Sequence, residues 1–348
     1  LLAEDKAQFN SEQQETIATL QQSSYTMIQL LNDMLDVAKL DAGRLQTNVT
    51  SIDLLKLLRQ ITELMLGNAR RQKISLYIFV DPLTPRFIDC DEGKLRQIIL
   101  NLLTNAVKFT REGYVAITVD KTDSRHPLIK AKTSQNTTIT KAWLKITVKD
   151  TGLGITEKDQ RKLFSYFEQA NDSISRQFGG TGLGLAISNS FSHLLGGFIH
   201  LESQFGQGSE FQLFLPIPKF SLQSVYQYKT GNLRVTLIII SPFSIFERVN
   251  KVLNYVELSH HIFTSMDEAV IDTINNLDLQ DLMPVFVIDD VALKANNHLL
   301  DHIHFYADAI KIILSMESPK TLPPEHQLQF DGYLQKPASL SHLIAEVN

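Results

Sequence analysis

The stretch that decides the fold is GGTGLGLAIS, residues 179–188, where four glycines fall within six positions before an apolar helical pattern begins. Glycine at this density indicates a backbone that approaches another group closely or adopts positive φ. A dinucleotide-binding loop is excluded because the polar segment QANDSISRQF, and not a strand, precedes the box. For this stretch alone, a structural tight turn stays open. The pattern favours a glycine-rich hinge leading into a helix whose exposed N–H groups can hold phosphate.

A second glycine box, DTGLGI at 150–155, follows a strand-like run and places Asp150 at the end of that strand. A carboxylate there can accept a hydrogen bond from an exocyclic amine such as the one adenine carries. Gly152 and Gly154 leave room beside it for a flat ligand. We therefore expect Asp150 to face a nucleobase.

A third motif, NLLTNAVKF at 101–109, places Asn101, Asn105 and Lys108 on one helix face at i, i+4 and i+7. Asparagine oxygens suit a Mg²⁺ ion that already carries phosphate oxygens and water, and the Lys108 ammonium adds a charge for phosphate. In isolation such asparagines are more often caps or surface residues. Their occurrence in order with the two glycine boxes favours a nucleotide site.

The composition limits the class of protein. The 348 residues suffice for two or three domains, and the net charge of -5 offers no bulk attraction to nucleic acid. The single cysteine, Cys90, cannot form an internal disulfide and fits a reducing compartment. No apolar run approaches the roughly 18 residues that span a bilayer, and no signal peptide is evident. Because the sequence opens at Leu1 inside a helical pattern, we expect a piece of a longer protein.

Residues 1–46 are predicted to form a helix that stops at Gly43. Apart from one interruption at Ser24, apolar residues recur along it at spacings of three and four, namely Ile17, Leu20, Met27, Leu31, Met34 and Ala38. Too little sequence precedes Thr47 to cover this stripe. The stripe therefore predicts a partner helix from a second copy, and so a homodimer with a helical stem.

Residues 47–219 are predicted to contain both helices and strands. The helical stretches are 53–71, 91–109, 157–169 and 183–195, and the strand-like runs are 74–80, 114–119, 143–149, 198–202 and 210–215. The polar stretch 122–141 is interpreted as a long hairpin insertion. This arrangement favours an α+β two-layer sandwich whose sheet carries the helices on one face. Residues 220–233 show no clear periodicity and are interpreted as a linker.

Over residues 234–348 the pattern changes to continuous β-branched runs separated by helical stretches. VTLIII, VFVID and IKIIL are the strongest runs, and YLQ is a weaker fourth. Strands buried on both faces have this composition. We therefore predict a small, doubly wound parallel α/β domain.

Taken together, the motifs resemble those of the ATP-binding domain of histidine kinases, over residues 47–216. LRQIILNLLTNAVKFT resembles the N box, DTGLGI the G1 box, LFSYFEQ the F box, GGTGLGLAIS the G2 box and GQGSEF the glycine turn that follows. The resemblance implies the histidine kinase and Hsp90-like ATPase fold, with ATP and Mg²⁺ bound under a mobile lid at 156–184. The ATP-binding residues it implies are Asn101, Asn105, Lys108, Phe109, Asp150, Gly152, Gly154, Ile155, Gly180, Thr181, Gly182, Leu183, Gly184 and Ser209, with Asn105 as the Mg²⁺ ligand.

The first helix resembles the second helix of the dimerisation and phosphotransfer domain in hybrid sensor kinases, and the order of the segments resembles the BarA/GacS type. In this family the phosphoacceptor histidine lies in an HExRTPL-like segment. None of the ten histidines has that context, so the acceptor is expected upstream and this chain alone is not expected to autophosphorylate.

The resemblance also implies what the whole protein does. It implies a protein-histidine kinase that transfers the γ-phosphoryl group of ATP to that histidine for a two-component phosphorelay. Further receiver and His-transfer domains and a response regulator would be its partners. The parent would be an inner-membrane protein with this part cytoplasmic.

The same fold also serves ATP hydrolases, which resemble one another in a Glu four residues before the metal-binding Asn. Asn101 occupies that position here, and an amide cannot take a proton from water. This favours transfer to a separate acceptor over hydrolysis. An ATPase and an ATP-binding regulatory module without histidine phosphotransfer stay open as alternatives.

The C-terminal domain resembles a receiver in degenerate form. The matching residues are Lys336 on the fifth strand, Ser315 on the fourth, and Asp290, or less favoured Asp289, at the phosphoacceptor position. The first strand ends in Ser241 and Pro242, where receivers carry a pair of acids. Without those carboxylates Mg²⁺ loses most of its charge partners, and Asp290 is equally well interpreted as an ordinary strand-end acid. We expect a pseudo-receiver that docks or regulates and does not accept phosphate.

Overall fold

The structure, a computed structural model, begins with a long helix. It describes residues 11–132, 142–164, 182–218, 220, 235–241, 246, 248–264, 268–277, 282–295, 309–315 and 330–336. Helix α1 spans Ser11–Asp41, and Gly43, whose φ is +61°, lies just after its last residue. Four residues of its apolar stripe are at least half exposed, namely Leu20, Met27, Leu31 and Met34. Residues 1–10 of the expected helix lie outside the described residues.

The central unit is a five-stranded sheet with helices on one face. Its strands are β2 (Ser75–Val80), β4 (Tyr114–Asp123), β5 (Ala142–Asp150), β6 (Phe198–Gln204) and β7 (Gly208–Pro216), in the order β2-β4-β5-β7-β6. Strand β2 pairs parallel with β4, and the other neighbours pair antiparallel. Helices α2 (Leu54–Arg71), α3 (Glu92–Phe109) and α6 (Gly184–Leu194) share one hydrophobic core with one face of the sheet.

Side-chain caps fix where the two long helices of this unit begin. The Asp53 carboxylate accepts a hydrogen bond from the N–H of Lys56 at the start of α2, and the Asp91 carboxylate accepts one from the N–H of Lys94 at the start of α3. Buried positions of α3 recur at helical spacing, namely Leu95, Ile98, Ile99, Leu102, Leu103, Ala106 and Val107. The half-exposed Asn101, Asn105 and Lys108 lie between these positions.

The sequence missed a short ribbon and misjudged one helix. Strands β1 (Thr50–Asp53) and β3 (Phe87–Cys90) pair antiparallel, and each is only four residues long, too short for a clear alternation. Helix α5 covers Glu157–Gln160, followed by a turn up to residue 164. The remainder of the expected helix at 157–169 lies outside the described residues.

The expected hairpin insertion at 122–141 joins β4 to β5. The two strands pair antiparallel from Val115 opposite Asp150 to Asp123 opposite Ala142. Between them lies a short helix, α4 (Pro127–Lys132), that the sequence analysis did not predict, with proline at its first position. Ile129 of this helix is buried in a cluster with Trp143, Phe198 and Phe214, which holds it against the sheet.

The C-terminal unit is a parallel sheet with helices on both faces. Its strands are β8 (Val235–Ile240), β9 (Ser259–Phe263), β10 (Met283–Asp289), β11 (Ile310–Ser315) and β12 (Gly332–Gln335), in the order β12-β11-β10-β8-β9. Leu253 of α7 (Val249–Tyr255) packs on one face. Ile274 of α8 (Glu268–Asn275) and Leu293 of α9 (Asp290–Ala295) pack on the other. This is a doubly wound order, and the sequence missed β9 because SHHIF is a half-buried edge strand with two histidines.

The two units are in contact along the face of the central sheet that carries no helices. Tyr77 and Tyr114 point away from α2 and α3 and belong to the same hydrophobic cluster as Leu237 and Phe246 of the C-terminal unit. Both faces of β2 are therefore occupied. None of the helices in the described part of the chain combines the length and apolarity needed to cross a bilayer.

Candidate nucleotide site

Asp150 ends strand β5 in a buried position. It is 5% exposed, and its Oδ1 accepts hydrogen bonds from the backbone N–H groups of Gly152 at 2.8 Å and Ser209 at 3.3 Å. Burial raises the pKa of Asp150 to about 6, against the lowering effect of these two N–H groups. Within the described ranges, Oδ2 accepts no hydrogen bond. The second oxygen is thus available to an amine donor.

The turn after Asp150 is tied to the β6–β7 hairpin. Gly154 has φ of +65°, and a Cβ there would collide with the carbonyl of Gln204, so only glycine fits. The N–H of Ile155 donates to Ser203 Oγ at 2.8 Å. Gln160 Nε2 donates at 2.9 Å both to the Ile155 carbonyl and to the Ser203 carbonyl. These bonds fix the point at which the expected lid leaves the sheet.

The end of α3 supplies the polar groups on the other side of the site. Lys108 is half-buried, which lowers the pKa of its ammonium, and its Nζ lies 5.0 Å from the ring centroid of Phe109. The side-chain amide of Asn105 makes no hydrogen bond to any described residue, and its carbonyl oxygen can therefore serve a cation. The Phe109 carbonyl accepts from the N–H of Leu153 at 3.2 Å, which joins the helix end to the Asp150 turn.

Asn101 is engaged with the glycine hinge. Its Nδ2 donates to Ser188 Oγ of α6 at 2.8 Å. A Cβ on Gly184 would collide with the Asn101 side chain, so glycine permits this close approach. Asn101 therefore also positions α6 against α3, which is a role that the sequence analysis did not predict.

The helix that follows the hinge begins at Gly184 without a side-chain cap. Leu183 at the N-cap is buried and its side chain makes no capping hydrogen bond. Leu183 itself therefore cannot cap the first N–H groups of α6 with its side chain, and N–H groups at a helix start can receive phosphate oxygens. Gly182 has φ of +70°. Gly180 and Thr181, together with most of the expected lid, lie outside the described residues.

Two polar residues of the site were missed by the sequence analysis. Ser203 Oγ receives the N–H of Ile155, contacts Ser209 Oγ at 3.0 Å and donates to the Gly208 carbonyl at 3.0 Å. Gln160 holds the same turn from the other side. Neither residue belongs to a glycine box, so no local pattern marks it. Ser188 lies inside the G2 box, but the sequence analysis assigned it no role.

The residues expected at a degenerate receiver site meet in a second, buried pocket. Lys336 Nζ donates to Asp289 Oδ1 at 2.8 Å and to Asp290 Oδ1 at 2.7 Å. Ser315 Oγ donates to Asp290 Oδ2 at 3.0 Å, and Ser241 Oγ lies 3.5 Å from Asp289 Oδ2. Burial raises the pKa of Asp289, and the charge of Lys336 opposes that rise. Pro242 lies outside the described residues.

Part of the chain is similar to a known family of ATPases. The model of the histidine kinase-, DNA gyrase B-, and HSP90-like ATPase family matches residues 90–219. The chain is 30% identical over 284 residues to the sensor protein GacS of Pseudomonas syringae pv. syringae, covering 76% of this chain and 30% of that protein. It is 34% identical over 206 residues to the signal transduction histidine-protein kinase BarA of Escherichia coli K12, covering 59% of this chain and 21% of that protein.

A solved structure extends the likeness beyond the central unit. The crystal structure of full-length ShkA in complex with AMPPNP superimposes with a TM-score of 0.72 at 26% identity, over 98% of this chain and 65% of that one. Residues 90–219 therefore form an ATP-binding domain of the histidine kinase-, DNA gyrase B-, and HSP90-like ATPase family. The domain is of the kind found in hybrid sensor histidine kinases, and the chain spans 30% or less of the length of the GacS and BarA relatives.

Proposed function

We propose that residues 47–219 bind Mg²⁺-ATP and that the protein of which they are part transfers the γ-phosphoryl group to a histidine. The observation that carries the proposal is the buried Asp150, whose Oδ1 is held by two backbone N–H groups while Oδ2 faces no described donor. This arrangement suits one exocyclic amine of adenine. The family match over 90–219 supports it.

The other site residues have distinct roles in this proposal. Lys108 neutralises phosphate charge, and the Asn105 amide oxygen is the protein ligand of Mg²⁺, which supplies charge neutralisation for the triphosphate when bound. The N–H groups at the start of α6 receive phosphate oxygens. The remaining members line or shape the pocket, namely Asn101, Phe109, Gly152, Gly154, Ile155, Gly180, Thr181, Gly182, Leu183, Gly184 and Ser209.

The chemistry favours transfer to an imidazole over hydrolysis. The bond from the γ-phosphorus to its bridging oxygen breaks, a bond from an imidazole nitrogen to that phosphorus forms, and ADP leaves with the electron pair. Asn101, at the position of the hydrolase Glu, cannot take a proton from water, and its amide is bound to Ser188. The site therefore provides positioning and electrostatic stabilisation, while the acceptor histidine stands in an HExRTPL-like segment outside these 348 residues.

We further propose a homodimer through residues 1–46. Apolar side chains such as Met27 and Leu31 are more than half exposed along α1, and a second copy of the helix would cover them. The partners beyond the dimer are a response regulator and additional receiver and His-transfer domains. The unpaired Cys90 and the use of ATP fit the cytoplasmic side of an inner-membrane sensor.

The C-terminal unit, residues 234–348, is in this proposal a degenerate receiver joined by the linker 220–233. Its strand order and the Lys336 to Asp290 contact of 2.7 Å support the comparison. The end of β8 carries Ser241 where receivers carry acids. Because Mg²⁺ would lack those ligands, the unit is not a phosphoacceptor.

Calorimetry with a non-hydrolysable ATP analogue and Mg²⁺ tests the nucleotide site. Asp150→Asn is expected to weaken binding at least tenfold, because an amide oxygen is a poorer acceptor than a carboxylate, and Asn105→Ala is expected to weaken the Mg²⁺-dependent part. Asp89→Asn, on strand β3 and not among the proposed site residues, is the matched control. Unchanged affinity in both site variants would refute the site.

A further inference from the structure

We call the buried cluster of Asp289, Asp290, Lys336, Ser315 and Ser241 the acid pocket. Two side chains from strand β2 of the ATP-binding domain complete it. The Tyr77 hydroxyl donates to Asp289 Oδ2 at 2.7 Å. Lys336 Nζ donates to Ser75 Oγ at 3.1 Å and lies 5.2 Å from the Tyr77 ring centroid. Residues 75 and 77 thus contribute a donor, an acceptor and an aromatic face to a pocket whose other members lie more than 160 positions further along the chain.

These contacts stabilise the buried charges of the acid pocket. Asp289 and Asp290 are two carboxylates beside one ammonium, and each of the three residues is at most 6% exposed. Buried charges are costly unless they are paired and hydrogen-bonded. The Tyr77 hydroxyl gives Asp289 Oδ2 a donor at 2.7 Å, closer than the Ser241 hydroxyl at 3.5 Å. Burial together with Asp289 raises the pKa of Tyr77, so the hydroxyl keeps its proton.

An aromatic cluster lies beside the contact between Tyr77 and Asp289, and an ion pair lies further out. Phe246 of the C-terminal unit packs edge-on against Tyr77, with ring centroids 5.2 Å apart, and against Phe79 at 5.7 Å. Outside these rings Arg248 pairs with Asp120 at 3.0 Å. An aromatic core with a charged rim is the anatomy of a specific interface.

We propose that the acid pocket, at the position where a receiver would accept phosphate, is a docking site whose ligand is the Tyr77 edge of the ATP-binding domain in the same chain. Docking uses Asp289 and Lys336 to hold Tyr77 and Ser75. It also encloses Asp290, which leaves that carboxylate without access for a phosphate donor while the units are together.

Docking at Tyr77 also supports the adenine side of the nucleotide site, a step that rests on the proposed function. Tyr77 and Tyr114 pack against each other with centroids 6.0 Å apart. The backbone N–H of Tyr114 donates to Thr151 Oγ1 at 3.0 Å, and the N–H of Thr151 donates to the Tyr114 carbonyl at 3.2 Å. Thr151 directly follows Asp150, so a loosened Tyr114 loosens the turn that presents Asp150.

Thiol trapping in the full chain measures undocking. Ala116 is fully buried in the cluster between the two units, so Ala116→Cys reports their separation. Native Cys90 is an internal control, since it lies in the other core, and burial raises its pKa to about 11, which keeps it unreactive. In this background Tyr77→Phe removes only the hydroxyl and is expected to raise labelling at position 116 about tenfold or more.

Matched variants separate the possible results. Tyr255→Phe, at an exposed tyrosine of the C-terminal unit, is expected to leave labelling unchanged, while adding Arg248→Gln to Tyr77→Phe is expected to raise it further. Labelling at 116 that rises neither in Tyr77→Phe nor in the double variant overturns the docking proposal. A parallel rise at Cys90 also overturns it, because the domain would then be unfolding and not separating.

The coupling to the nucleotide site has its own readout. Calorimetry with the ATP analogue is expected to show binding weakened about threefold to tenfold in Tyr77→Phe, a typical coupling between sites. Raised labelling with unchanged affinity overturns the coupling and leaves docking standing. Failure of the unaltered chain to bind the analogue would refute the proposed function, and the labelling experiment would still decide the docking.

Discussion

Acidification is expected to weaken nucleotide binding through Asp150. Because the pKa of Asp150 is raised to about 6, the ionised fraction of its carboxylate falls from about 90% at pH 7 to about 10% at pH 5. Only the ionised form is a strong acceptor for the adenine amine. The affinity for an ATP analogue should therefore fall about tenfold between pH 7 and pH 5.

The same group should affect stability in the opposite direction. Its folded-state pKa lies above the ordinary value of 3.8, so the folded protein binds the proton more tightly than the unfolded chain. The resulting stabilisation is complete below about pH 4 and is lost as pH rises through about 6, and the rise in pKa corresponds to about 3 kcal/mol. Acid thus favours the fold at this residue while it disfavours nucleotide.

The assay compares the chain with Asp150→Asn by calorimetry at several pH values from 5 to 8. The phosphates of the nucleotide titrate in the same range, but they do so equally for both proteins. The ratio of the two affinities therefore isolates Asp150, and it should shrink towards one at pH 5. A ratio that stays constant across this range would refute the assignment of the pH dependence to this carboxylate.

Three further outcomes follow from individual contacts. Ser188→Ala should cost about 1 kcal/mol in urea unfolding, because Asn101 Nδ2 loses its acceptor; unchanged stability would contradict that role. Gly154→Ala should cost more than about 1 kcal/mol in the same assay, since φ is positive and the Gln204 carbonyl blocks a Cβ, whereas Gly67→Ala, in open space on α2, should not. Leu31→Glu on the exposed stripe of α1 should convert a dimer to monomer in light scattering, and a chain that is monomeric before the change would refute the helical dimer.

The sequence predicted the elements that carry a strong local pattern. Each strand of the central sheet overlaps one of the predicted apolar runs, and α3 begins where Asp91 offers a capping carboxylate. The edge strand β9 has too few apolar residues to be recognised, and β1 and β3 are too short. Their pairing partners are defined by the tertiary structure and not by their own sequence.

The residues proposed for the nucleotide site could be chosen from the sequence where their chemistry lies in contiguous motifs. Asp150 and Lys108 could be chosen because the residue type and the glycine spacing point to one ligand class. The residues that hold the Asp150 turn in place could not be chosen from the sequence. Ser203 and Gln160 contact the Asp150 turn only because the β6–β7 hairpin and α5 come together in the fold.

The contact between Tyr77 and Asp289 joins residues 212 positions apart. Each of the two segments that meet there would be unfavourable without the other. On β2, SLYIFV has tyrosine and phenylalanine on the face opposite the main core, where an isolated sheet would expose them. At the end of β10, VFVIDD places two adjacent carboxylates, Asp289 on the strand and Asp290 at the start of α9, beside one buried lysine that cannot satisfy both fully. When the two segments pack together, the C-terminal unit covers the rings of Tyr77 and Phe79, and the Tyr77 hydroxyl donates to Asp289. The lysine, serine and aspartates that resemble the receiver pattern therefore have structural contacts in this chain that require no phosphoryl transfer.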